Sequence, residues 1–170
     1  MLTRNEKIFK WILYGLATAF LYFIQGALLQ RIHIWNVIPF LYPMLPAVLG
    51  MYEGSISGSI YGMVLGIWCD QLLPAPIPCF YTLVFPLIGL FSALIAEGFL
   101  PAGFLCGLVV SALSFFLTDI FHCFLLWTSG QNAWQAGLDT MFREYLISLP
   151  LLILISALFA AIFRRTRFDD

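Results

Sequence analysis

The chain has 170 residues, of which 62% are apolar and 10% charged, with 8 Lys and Arg against 9 Asp and Glu. Soluble domains run at about 45–50% apolar and about 25% charged, and so few charges cannot cover a body of this size. The composition excludes a soluble enzyme and a disordered tail, and a net charge of -1 gives no footprint for a nucleic acid. What remains is a single all-α integral membrane domain, residues 1–170.

A spanning helix needs about 20 mostly apolar residues. The first predicted span is residues 11–29, after Arg4, Lys7 and Lys10. Its apolar run exceeds the roughly 7–15 residues of a signal peptide core and no small-residue cleavage site follows, so it reads as uncleaved. The second and third spans are predicted at 37–52 and 54–69, a tight hairpin separated only by Glu53. The fourth is expected at 79–96, the fifth at 102–127 and the sixth at 145–163. Between the fifth and sixth, Trp134, Leu138, Met141 and Tyr145 recur at helical spacing, with Asn132 as a cap. That pattern predicts a short interfacial helix; an ordinary apolar-leaning loop is the competing reading. Dyad alternation is missing, which argues against a membrane barrel.

Basic residues mark the cytoplasmic side of a membrane protein. With six spans, Arg4, Lys7, Lys10, Arg164, Arg165 and Arg167 fall on one side, and Arg31 and Arg143 on the other. Both termini are therefore expected in the cytoplasm. Trp35, Trp68, Trp127 and Trp134 then fall near the outer interface and Trp11 near the inner one, as tryptophan prefers. His33, beside Trp35, reads as an outer-interface residue. Pro74, Pro76 and Pro78 stiffen the outer loop between spans three and four.

The segment EGSISGSIYGMVLGIWCD, residues 53–70, carries the most specific pattern. Gly54, Gly58, Gly62 and Gly66 stand four apart, Asp70 continues the series and Gly50 precedes it. Four residues advance a helix by about 400°, so these positions form one slowly winding face without side chains. Such a face lets two helix backbones approach closely in lipid. It is expected to pack another helix, inside the fold or on a partner. Leucine at Gly62 should separate the two backbones, while alanine should be accepted.

Ionisable residues inside a span are costly. Glu53, Asp70 and Glu97 are expected at helix ends, and Glu144 near the start of span six, where the positive helix end favours it. Asp119 lies well inside span five, with His122 one turn on along the same face. The two are expected to form an intramembrane polar pair; a proton relay would need further such groups. Cys69 and Cys79 flank one loop and could pair in an oxidising compartment, although small apolar filling explains all four cysteines, Cys106 and Cys123 included. No hydrolase elbow, zinc-protease motif, phosphate loop or zinc-ligand spacing occurs in the sequence. The chain is therefore expected to be no enzyme and to hold no cofactor or metal.

With this layout the chain resembles the MreD family of bacterial rod shape-determining membrane proteins. The resemblance is carried by VIPFLYPMLPAVLGMYEG running into the glycine-rich segment that ends GMVLGIWCD, and by LVFPLIGLFSALI in the fourth span. The family's outer loop often has a glycine where this chain reads LPAPIPCF. The resemblance implies a non-enzymatic scaffold of the cell-wall elongation machinery in the bacterial cell membrane, binding MreC and acting with RodA, its transpeptidase partner and MreB. It also implies a fold similar to the substrate-binding subunits of energy-coupling-factor vitamin transporters. A small-molecule-binding transporter subunit is accordingly the alternative function, and it would need convergent polar groups in an outer cavity.

Overall fold

The computed structural model describes residues 4–31, 35, 37–75, 77–130 and 134–167. In chain order the helices are α1 Arg4–Ala27, α2 Met44–Glu53, α3 Ser55–Leu72, α4 Phe80–Gly98, α5 Phe104–Thr128 and α6 Trp134–Arg167, with a 3-10 turn at Leu29–Arg31. No strand occurs among the described residues. His33, Pro76 and Asn132 lie outside them.

Four stretches are long and apolar enough to cross a membrane: Lys7–Arg31, Phe80–Gly98, Phe104–Thr128 and Gly137–Thr166. The chain is therefore a helical membrane protein with four candidate spanning helices. The remaining two of the six expected spans do not reach that standard. α3 has the length, at 18 residues, but carries Ser55, Ser57, Ser59, Asp70 and Gln71. α2 has only 10 residues, which at 1.5 Å per residue covers about half of a ~30 Å hydrocarbon core.

The expected span at 37–52 starts too early, and proline explains why. Residues 38–41 are not helical, and α2 begins only after Pro43. Proline disfavours helical geometry in the residue before it and lacks the N–H that a helix interior requires. Pro39 and Pro43 thus hold the chain out of the helix, whereas Pro46, in the first turn of α2, has no intrahelical N–H partner to lose.

The second difference is at the other end of the chain. The residues expected to form a separate interfacial helix are the first turns of α6, which runs unbroken from Trp134 through Pro150 to Arg167. Met141 and Tyr145 pack on the core while Leu138 faces outward. The Tyr145 hydroxyl donates to the Leu108 carbonyl at 3.1 Å, and its ring meets Phe115. The inner half of the stripe, Met141 and Tyr145, therefore packs within the fold and not on a membrane surface.

The core centres on α2. Residues 44–51 are all buried, and α2 touches α3, α4, α5 and α6. A helix apolar on every side belongs inside. α1 packs mainly on α6 and leaves Phe9, Ile12, Leu16, Phe20 and Phe23 exposed. Such a broad bare apolar face suits lipid or another helix, not water.

Candidate functional site

The glycine face is spent inside the fold. A Cβ on Gly62 would run into the backbone of Phe85 and Pro86, one on Gly66 into that of Tyr81 and Thr82, and one on Gly58 into Gly50 and Gly89. Gly89 answers from α4, pressed against the Gly58 backbone. α3 and α4 thus run antiparallel in backbone contact, and their interface is the most extensive in the molecule. Alanine at Gly62 is not the mild change expected from the sequence, because its methyl would meet main chain that cannot turn aside. Gly54 has another role. It links α2 to α3 at φ +86°, in the left-handed half of backbone space that glycine enters freely.

Asp70, at the end of the series, caps α4. Its Oδ1 accepts from the Tyr81 N–H, and its Oδ2 from the Thr82 N–H, both at 2.9 Å. The Thr82 hydroxyl donates to Oδ2 as well. The residue in the capping position, Cys79, makes no side-chain cap. A carboxylate on the neighbouring helix therefore satisfies first-turn donors and sits at the positive end of the α4 dipole. Cys69 is buried, Cys79 is exposed, and all four cysteines are free thiols.

The segment leading into α2 requires partners for its unpaired backbone. Gln25 of α1 is buried; its Nε2 donates to the Pro39 carbonyl at 2.8 Å, and its Oε1 accepts from the Leu41 N–H at 3.1 Å. Ser148 of α6 accepts from the Phe40 N–H at 3.0 Å. Non-helical backbone at membrane depth is tolerated only when protein supplies such bonds. At the other end of α2, Glu53 accepts from the Tyr14 hydroxyl at 2.7 Å and pairs with Lys10 at 2.5 Å. Lys10 also lies over the Phe163 ring. α1 and α2 are therefore antiparallel and tied at both ends. The sequence reading missed Gln25 and Ser148, although polar residues within apolar runs opposite a proline-broken segment are the signal to look for.

Asp119 and His122 do share a face of α5, but no hydrogen bond joins them. The His122 ring lies edge-on to Phe80. Asp119 Oδ2 is shielded from solvent and has no hydrogen-bond partner. Both residues line a cavity of about 490 Å³ at the end of the bundle opposite Lys10 and Glu53, together with Gln30, Tyr81, Thr140 and Glu144. Glu144 is not at a helix N-terminus, because α6 starts ten residues earlier.

A second concavity, of about 250 Å³ and almost wholly apolar, lies between α1 and α3. Gly15, Ala19 and Tyr22 face Ile60, Val64 and Trp68 across it. The helices are bridged there by Thr18 and Tyr61, whose hydroxyls lie 2.5 Å apart. Gly15 has open space where a Cβ would project. Gly15 and Ala19 are thus a small-residue pair, four apart, with no helix against them among the described residues. No protein-family model, curated protein or solved structure matches the chain.

Proposed function

We propose that the chain is a non-enzymatic membrane scaffold of the bacterial cell-wall elongation machinery, of the MreD type, that seats the transmembrane helix of MreC. The observation that supports this reading is the open apolar groove between α1 and α3. Its Gly15 and Ala19 offer the close approach that membrane helices use to associate. The α3 glycines are already occupied by α4, so the partner's seat is assigned to α1. RodA, its transpeptidase partner and MreB would join through the same assembly.

In this reading the chain crosses the membrane six times, with both termini in the cytoplasm. Residues 37–43 and α2 together supply the second crossing, since extended chain at about 3.3 Å per residue adds what the short helix lacks. Lys7, Lys10, Arg164 and Arg165 then share the cytoplasmic end. Detergent extraction and affinity purification of the full chain should bring down MreC. Its absence, with the chain intact and folded, would contradict the proposal.

A second reading, a small-molecule-binding subunit of a transporter, draws support from the cavity around Asp119, His122 and Glu144. It supplies the convergent polar groups that the alternative requires.

A further inference from the structure

Two of the candidate spanning helices, α5 and α6, meet at a cavity of about 940 Å³, walled by the start of α5, the last turns of α6 and Tyr52 of α2. The cavity is long as well as large. Ile153 and Arg164 both line it, and at 1.5 Å per residue they stand about 16 Å apart along α6. That is roughly half of a ~30 Å hydrocarbon core, so the cavity reaches from the end of the spanning helix through the depth of one leaflet.

Its two ends differ in chemistry. In the deep part, Ile153 and Ala157 present exposed apolar surface. At the outer end Arg164 is exposed, and no carboxylate among the described residues pairs with it. Lys10, at the same end of the bundle, is by contrast held by Glu53. The start of α5 has no acidic residue in its first turn and no side-chain cap, so this wall adds positive potential and no counter-charge. Between the two ends, the hydroxyls of Tyr52 and Ser156 lie 3.4 Å apart. A bond between two hydroxyls uses one of their protons and leaves the other to donate.

We propose that this cavity seats an anionic phospholipid, its phosphate on Arg164, an ester carbonyl on the Tyr52–Ser156 pair and an acyl chain along Ile153 and Ala157. The planar fork of an arginine matches phosphate oxygens two at a time, and basic pockets between spanning helices take anionic headgroups in this way. A free anion would leave the deep apolar part unused, and a wholly apolar helix would leave the arginine without a counter-charge. The inference does not depend on the partner helix assigned to the α1–α3 groove.

The test uses the full chain, stripped of lipid in detergent, with dioleoyl phosphatidylglycerol as the probe and dioleoyl phosphatidylcholine and inorganic phosphate beside it. Native mass spectrometry reads lipid retention, and thermal unfolding reads stabilisation. The chain should retain phosphatidylglycerol in preference to phosphatidylcholine, and phosphatidylglycerol should raise the unfolding temperature saturably where inorganic phosphate does not. Arg164→Gln should weaken phosphatidylglycerol binding by about tenfold or more, as expected for loss of a charge-assisted hydrogen bond. Arg165→Gln, which removes the same charge outside the cavity, should bind as the native chain does. Ala157→Phe, which fills the apolar part, should lose the lipid while the chain stays folded. Equal retention of the two lipids would overturn the proposal, and an equal saturable response to inorganic phosphate would replace the lipid with a simple anion. Native retention in Arg164→Gln or Ala157→Phe, or an equal loss in Arg165→Gln, would also overturn it.

Discussion

Gln25 replaces bonds that a helix would have made for itself. Its amide serves the Pro39 carbonyl and the Leu41 N–H at once, and both bonds are buried. Leucine in its place would fill similar space but leave both backbone groups unpaired, at about 1–3 kcal/mol each. Gln25→Leu should therefore lower the unfolding temperature in detergent well below that of the native chain. Gln25→Glu, which keeps the acceptor for Leu41 but loses the donor to Pro39, should fall between the two. A Gln25→Leu protein as stable as the native chain would show that the segment finds other partners. Asp70 gives a second residue-scale test. Asp70→Ala removes three hydrogen bonds at the start of α4, and a lost helix cap costs about 0.5–2 kcal/mol. Asp70→Asn retains an acceptor and should cost less. Equal stability for the two variants would contradict the capping role.

At the scale of the elements, two glycines of similar appearance in the sequence face opposite fates. Gly62 lies against the α4 backbone, and Gly15 faces open space. Gly62→Ala should destabilise by about 1–3 kcal/mol, the usual cost of overpacking. Gly15→Ala should leave the fold intact, since its methyl meets nothing and alanine favours the helix by about 1 kcal/mol. Thermal unfolding of the two variants checks both, and the reverse order would exchange the packed and open faces. The spacing of Gly58, Gly62 and Gly66 was enough to foresee a close-approach face, because four-residue periodicity fixes which side of a helix is bare. It could not tell which neighbour fills that side, since α4 and a foreign helix would ask for the same pattern. Helices α4 and α5 start within two residues of expectation. α2 did not, because an apolar run continuous from Val37 hides what Pro39 and Pro43 do to the backbone. The sequence puts Asp119 and His122 on one face, as the structure does, yet it puts Glu144 near a helix start that belongs to Trp134. A one-turn spacing reports a shared face, and the cavity that receives both side chains depends on α6, which lies elsewhere in the sequence.

For the whole molecule, the short α2 decides the topology. If residues 37–53 cross the membrane together, the chain makes six crossings and its two ends lie on one side. Reporter fusions after Arg167 and at Gly130, in the loop between α5 and α6, should then report opposite sides, with the C-terminus cytoplasmic. The same side for both positions would break the arrangement. The basic residues are what favours this assignment, with Lys7, Lys10, Arg164 and Arg165 toward one end of the bundle and Arg31 and Arg143 toward the other. Around this frame the bundle bares apolar faces, and the α1–α3 groove is a concave one that carries the small residues Gly15 and Ala19. The claim that a partner helix lies there is tested most directly by photocrosslinking from single positions of the full chain in native membranes. A photoreactive amino acid at Ala19, inside the groove, should crosslink to MreC. The same residue at Leu83, exposed on α4, should not. Crosslinks from Leu83 with none from Ala19 would contradict the account and move the partner to another face of the bundle.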